Sequence, residues 1–350
     1  MKRFVIQLFS LLLLAACMPG ALASEVCYEE DGVVGKQLNM PIYHWYTRGR
    51  TPCGLVVAVH GVAMHGKSFD VLSRQLSVMG FEVFSTDLRG YGRTLDGEHR
   101  YCQLPDCKHR VDYDKSYDDL VALTQRLRIA YPGVPIHLIG ESLGSSMAIR
   151  LAALHPELCD GLVLSAPAIK RHSFVHKKMV AQAGVLMYNF RAQLDLTPYV
   201  QSFASEDPLI LEEMANDPLM RTRMSAPELF KASQAVKRTL GYVKDISPDT
   251  PVLVIQGSDD RCVKANAVVL MLDRLRSKDQ TVRWFHQRGH VLLETAHVKP
   301  DTMQIVCGWL HEHVDGSMYS LASPRFVAKS ESAQSTSLDM DASVRPQMHF

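Results

Sequence analysis

The stretch that decides the fold is Ile136-His137-Leu138-Ile139-Gly140-Glu141-Ser142-Leu143-Gly144. A short, mostly apolar run leads into a G-x-S-x-G pentapeptide, and a helix-forming segment, Ser142–Leu154, follows at once. A serine on a sharp turn between a buried strand and a helix stands out above the end of the strand with its hydroxyl accessible. The elbow glycines Gly140 and Gly144 are what such a turn needs, because side chains there would separate the strand from the helix. The plainer alternative is a strand-to-helix turn in which Ser142 only caps the helix. What flanks the turn on both sides favours the nucleophile.

Upstream, Leu55–His60 is a continuous apolar run, the mark of a strand covered on both faces. Phe81–Thr86, Gly161–Ser165, Val252–Gln256 and Thr281–Phe285 also read as strands, and Tyr43–Tyr46 as an earlier, edge-side one. Between them fall helical segments at Lys67–Met79, Lys115–Tyr131, Lys264–Arg276 and Ala296–His313. Strands alternating with helices specify the α/β class, a mostly parallel central sheet flanked by helices. From about Ala168 to Ser247 the alternation stops, and Phe174–Leu194, Leu209–Met214 and Ala226–Val243 read as helices. That is too long for a connection and is expected to form a helical cap, about 168–247, inserted after the strand near 161–165. The domain is expected to cover residues 25–315. The Ser-, Ala- and Asp-rich tail 317–350 has the composition of a disordered segment.

A serine hydroxyl is a weak nucleophile until a general base takes its proton, and the base needs a carboxylate to orient it. In this architecture the acid comes next in the chain and the histidine last. Two loops at C-terminal strand ends qualify. Gly257-Ser258-Asp259-Asp260-Arg261-Cys262-Val263 offers Asp260, preferred over Asp259. His286-Gln287-Arg288-Gly289-His290 offers His290, preferred over His286, which lies nearer the strand end. An oxyanion needs two backbone donors. Leu143, after the serine, supplies one N–H. The loop His60-Gly61-Val62-Ala63-Met64-His65 supplies the other, assigned to Val62, and Met64 to Gly66 are placed near the acyl pocket.

Composition bounds the partners. The chain has 350 residues, 47% hydrophobic and 21% charged, with 38 basic against 37 acidic residues, a net charge of +1. Such a balance gives no bulk field for nucleic acid. Lys2 and Arg3 precede an 11-residue, largely apolar run, Phe4 to Leu14. That is shorter than the ~20 residues a spanning helix needs and suits a signal peptide. Cleavage after Ala23 would leave Ser24 first, with residues 1–23 removed. Leu14-Ala15-Ala16-Cys17 instead resembles a lipoprotein box, in which 1–16 leave and Cys17 is lipidated. The lipoprotein reading is preferred. It places the protein in the cell envelope, anchored at a membrane surface rather than secreted or periplasmic and soluble.

An exported chain makes a local Cys102–Cys107 disulfide an expectation, and Cys27–Cys53 a weaker one. Cys159, Cys262 and Cys307 read as small buried apolar residues. No C-x-x-C pair and no H-E-x-x-H occurs in the sequence, and no metal or cofactor is expected.

His60-Gly61, Asp87-Leu88-Arg89-Gly90-Tyr91-Gly92, the 140–144 pentapeptide, Gly257-x-x-Asp260 and Gly289-His290 stand in the order seen in α/β-hydrolases. Over about Ile42 to Val314 the chain resembles their monoacylglycerol lipase / lysophospholipase group, the serine aminopeptidase S33 type. Asp207-Pro208-Leu209 and Asn216-Asp217-Pro218-Leu219 in the cap resemble it too. The resemblance implies a triad of Ser142, Asp260 and His290, with Val62 and Leu143 as oxyanion donors. It also implies hydrolysis of a single-chain lipid ester, monoacylglycerol or lysophospholipid, without a cofactor. A peptidase or small-ester esterase on the same triad, or an inactive binding protein, are the alternatives. The apolar cap residues Val180, Val185, Leu186, Met187 and Phe190 could shield a lipid chain or pack the cap onto the core. The segment Arg100–Arg110 and Cys262 beside the acid depart from the group's pattern.

Overall fold

The computed structural model describes residues 25–95, 111–170, 184 and 188–314. The expected signal segment with Cys17 and Ser24, the Cys102–Cys107 pair, the tail 317–350, and Val180, Val185, Leu186 and Met187 lie outside the described residues.

The described elements run β1 (Val26–Glu30), α1 (Val33–Leu38), β2 (Ile42–Thr47), β3 (Gly54–Val59), α2 (Asp70–Met79), β4 (Phe81–Thr86), α3 (Tyr113–Ala130), β5 (Ile136–Glu141), α4 (Leu143–Leu154) and β6 (Gly161–Ser165). The insert follows with β7 (Gln193–Asp195), α5 (Thr197–Phe203), α6 (Pro208–Asn216), β8 (Arg223–Ser225) and α7 (Ala226–Val243). Then come β9 (Val252–Gly257), α8 (Ala265–Arg274), β10 (Gln280–Phe285) and α9 (Pro300–Glu312).

Eight strands form one sheet in the order β1-β2-β4-β3-β5-β6-β9-β10. β1, β2 and β4 pair antiparallel. From β4 through β10 every pairing is parallel. The two sides of β3 show how period-2 alternation builds two core layers. Leu55, Val57 and Val59 pack with Leu120, Leu123 and Leu127 of α3 and Leu151 of α4. Val56 and Ala58 pack with Leu72 and Leu76 of α2 and Val306 and Leu310 of α9. Burying each of these side chains stabilises the fold by about 1.5–3 kcal/mol. Because β3, β5, β9 and β10 are parallel, their C-terminal ends share one rim. The loops carrying Gly61, Ser142, Asp260 and His290 all leave from it.

The chain departs from the expected elements at its weakest strands. The insert is not wholly helical: Leu194, expected to end a helix, sits in β7, which pairs antiparallel with β8. β1 was not expected either. Short strands carry too few residues for alternation to register, and β1 lies at the sheet edge with Glu29 and Glu30 exposed. α7 starts where expected because its start is chemically marked. Ser225 and Glu228 form a capping box, the Ser225 N–H reaching Glu228 Oε2 at 2.8 Å, with a proline in the first turn. α7, expected as part of the cap, packs beside α4: Val243 and the partly buried Leu229, Ala232, Val236 and Leu240 join the main core. Cys27 and Cys53 are free thiols, so the weaker pairing does not form. The first lies on an edge strand, while the second sits against the Met79 carbonyl. Cys159 and Cys307 are buried as read; Cys262 is only half-buried.

Candidate active site

Ser142 joins β5 to α4 with φ 55° and ψ −117°, a left-handed conformation that a residue with a side chain rarely adopts. Holding it there costs of order 1–3 kcal/mol. Close packing enforces the turn: a β-carbon on Gly144 would lie 1.9 Å from the Val59 carbonyl oxygen, and one on Gly140 2.5 Å from the Gly144 backbone. The serine hydroxyl is thereby presented at the rim. Ser142 Oγ lies 2.8 Å from His290 Nε2. His290 Nδ1 lies 2.8 Å from Asp260 Oδ2. With Nδ1–H donated to the carboxylate, Nε2 carries the lone pair that can take the serine proton.

The acid is itself held. Asp260 Oδ2 also accepts Gln256 Nε2–H at 2.8 Å, and Oδ1 accepts the N–H groups of Cys262 and Val263 at 2.7 and 2.8 Å. Burial alone would push the Asp260 carboxyl up, but the His290 charge and these hydrogen bonds outweigh it and keep it below the ordinary carboxylate range. Burial likewise works against the His290 cation, yet Asp260 outweighs it and raises the imidazole above its ordinary value. Asp259 is exposed and bonds to its neighbour Ser258, and His286 is exposed beyond the end of β10. Neither reaches the serine, so of each pair the structure brings the preferred residue to Ser142.

Leu143 opens α4, so its N–H has no intrahelical acceptor. No described hydrogen bond uses the Val62 N–H. The loop that carries it is clamped. The Leu88 N–H donates to His60 Nε2 at 2.9 Å, which leaves the proton on Nδ1, and Nδ1–H reaches the Gly61 carbonyl at 2.8 Å. Ala63, at φ 75°, accepts the Arg221 N–H from the insert at 2.8 Å. Ala63 and Met64 pack with Ala204, Ile210, Met214, Met220 and Val291, an apolar cluster shared by this loop, the cap and the histidine loop. His65, expected to line the acyl pocket with Met64 and Gly66, is bonded to Asp217 Oδ2 at 2.7 Å, and the Gly66 N–H to Asp87 Oδ1 at 2.8 Å. Phe190, of the apolar cap residues, is exposed.

Several residues of the site were not singled out from sequence. Glu141, the variable position before the serine, is buried and accepts the N–H groups of Leu292, Leu293 and Glu294. It pins the loop that carries His290. From the cap, the Ala204 carbonyl accepts His290 N–H, Glu206 accepts Gly289 N–H, and Glu213 accepts Ala296 N–H. A lone acid inside an apolar run was the available signal for Glu141 and for Glu294. Among the described residues, Asp260, Cys262 and His290 bring possible metal-ligand atoms within 4.8 Å of one another. That grouping consists of the acid–imidazole hydrogen bond and a nearby thiol facing the Phe203 carbonyl at 3.3 Å.

A buried carboxylate, an imidazole and a strained serine joined by hydrogen bonds, with the free Leu143 N–H next to the serine, form an α/β-hydrolase site equipped for acyl transfer. Residues 50–295 match the family described as serine aminopeptidase, S33, and the chain belongs to that family. It is 26% identical to the monoglyceride lipase of Homo sapiens over 253 residues, covering 71% of this chain and 78% of that one. It is 25% identical over 281 residues to a monoglyceride lipase homolog of Monkeypox virus, covering 79% and 96% respectively. A solved Saccharomyces cerevisiae monoglyceride lipase, a soluble variant in complex with a substrate analog, superposes with a TM-score of 0.65. It is 20% identical and covers 85% of this chain and 98% of its own. The protein is a serine carboxylic-ester hydrolase of the monoacylglycerol lipase-like kind.

Proposed function

We propose that the protein hydrolyses the carboxylic ester of a single-chain lipid, monoacylglycerol or lysophospholipid, through an acyl-enzyme on Ser142. The observation that carries the mechanism is the Ser142 Oγ–His290 Nε2 contact of 2.8 Å, backed by Asp260. Nε2 takes the hydroxyl proton as Oγ bonds to the ester carbon. The negative charge passes to the carbonyl oxygen, where the Val62 and Leu143 N–H groups receive it. Collapse breaks the bond to the alcohol, which leaves with the proton from Nε2. Water then repeats the cycle and frees the fatty acid.

The lipid substrate is supported by the similarity to monoglyceride lipases and by the apolar cluster that Met64, Ile210, Met214 and Met220 form between cap and rim. Turnover of long-chain monoacylglycerol and lysophosphatidylcholine, set against short p-nitrophenyl esters and aminoacyl amides, tests it. The long-chain esters should be preferred. Turnover of the amides alone would replace the lipid reading with a peptidase. The N-terminal signal supports export to the cell envelope, where a lipid on Cys17 would hold the enzyme beside such substrates. Mass spectrometry of the mature N-terminus should find diacylated Cys17, and a free Ser24 would contradict the anchor.

A further inference from the structure

Two carboxyl groups lie buried behind the nucleophile, Glu141 at 1% and Glu294 at 2% exposure. Their surroundings differ. Glu141 accepts the Leu292, Glu294 and Leu293 N–H groups at 2.7, 2.8 and 3.0 Å and the Ser165 hydroxyl at 2.8 Å. Donors in that number stand in for water around an anion. Glu294 accepts the Gly61 N–H at 2.7 Å and faces Glu141. Two adjacent carboxylates in a dry interior do not both stay ionised. Burial raises the Glu141 carboxyl too, but its donors and the attraction of His290 oppose that rise, so of the two Glu141 holds the charge more readily and Glu294 keeps the proton. Burial, and next the charge of Glu141, push the Glu294 carboxyl well above the carboxylate range.

The bond to Gly61 matters because of where that residue lies. A β-carbon there would stand 3.1 Å from Ser142 Cβ and 3.2 Å from Glu294 Oε2, so the peptide is wedged between the serine and the acid. The N–H of Gly61, in the His60–Gly61 peptide, is held by Glu294, and its carbonyl, in the Gly61–Val62 peptide, by His60 Nδ1–H. In a trans peptide the next N–H, that of Val62, points opposite to the held carbonyl. We propose that Glu294 is a positioning residue for acyl transfer: by holding the Gly61 N–H it fixes the backbone at Gly61 and, with His60 on the Gly61 carbonyl, aims the Val62 N–H at the oxyanion formed on Ser142. This rests on Ser142 being the nucleophile. Neutrality serves the role, since an anion at this place would oppose the negative charge that develops beside it.

The test compares Glu294→Gln, which keeps a neutral acceptor, with Glu294→Leu, which removes it. Glu294→Gln should keep kcat close to wild type. Glu294→Leu should lower kcat about tenfold or more, approaching the roughly 10²–10³-fold cost of a lost oxyanion donor. KM should stay unchanged, and affinity for a trifluoromethyl ketone, which forms a tetrahedral adduct, should fall by the same factor as kcat. A merely structural role would lower the melting temperature without that split. A folded Glu294→Leu with wild-type kcat and ketone affinity overturns the proposal, as does Glu294→Gln losing as much as Glu294→Leu. Should Glu294→Leu not fold, infrared difference spectra decide: a protonated-carboxyl band must vanish in Glu294→Gln, and its persistence overturns the neutral acid. Wild-type protein that takes no fluorophosphonate on Ser142 removes the nucleophile itself, a separate failure.

Discussion

The backbone carbonyl of Ala204, in the cap, accepts the N–H of His290 at 3.2 Å. The base is therefore suspended between the cap on one side and Glu141 on the other. Glu213 extends the suspension, taking the Thr295 hydroxyl and the Ala296 N–H. Glu213→Ala leaves the buried Thr295 hydroxyl without this acceptor, a loss of about 1 kcal/mol, while the exposed Ala296 N–H turns to water. We expect a lower melting temperature together with a several-fold fall in kcat in steady-state assays. A stable, folded variant whose kcat is unchanged would show that the cap does not position His290.

The two neighbouring aspartates should behave oppositely. Asp260 orients the imidazole, so Asp260→Asn, which favours the wrong tautomer, should lower kcat by about 10⁴-fold. Asp259 is exposed, and Asp259→Asn should stay near wild type. Parallel kinetics on one ester substrate check both, and equal losses would contradict the assignment.

The pH profile follows from the same pair. Asp260 raises the His290 imidazole above its ordinary value of 6.5, against the opposing effect of burial. A protonated imidazole cannot accept the serine proton, so kcat/KM should fall as pH drops through that raised value. Asp260→Asn should move the remaining acid limb to lower pH. A limb that does not move would mean another group controls it.

Two histidines outside the proton transfer contribute to the acid stability. His60 and His137 are fully buried, and burial lowers each from 6.5 to about 4. Between those values the unfolded chain binds protons that the folded one does not. Their contribution to stability is therefore complete above pH 6.5 and falls as pH drops toward 4, by up to about 3 kcal/mol for each histidine. His137, packed against Phe81 and Trp309, is the cleaner probe. Urea melts of His137→Leu should show a shallower decline over that window; an identical slope would contradict its part.

How much could be read in advance depended on how local each signal was. β3, β4, β5, β6 and β9 are buried along their whole length, and each carries enough apolar residues to be read as a strand from the chain alone. β10 has exposed residues, yet it sits between the recognisable Gly257 and His290 loops. β7 and β8, three residues each, are defined by each other rather than by their own composition. The serine, acid and histidine were legible because each follows a strand at a marked turn. Glu141 and Glu294 were not, because their meaning lies in a contact between positions 153 apart. Nothing in the sequence near either residue shows that they meet.

The most direct measurement is the intact mass of the protein after reaction with a fluorophosphonate, followed by mapping of the adduct. The arrangement of Ser142, His290 and Asp260 predicts one adduct, on Ser142, and none on Ser142→Ala. An unlabelled native protein, or an adduct that survives in Ser142→Ala, would contradict it.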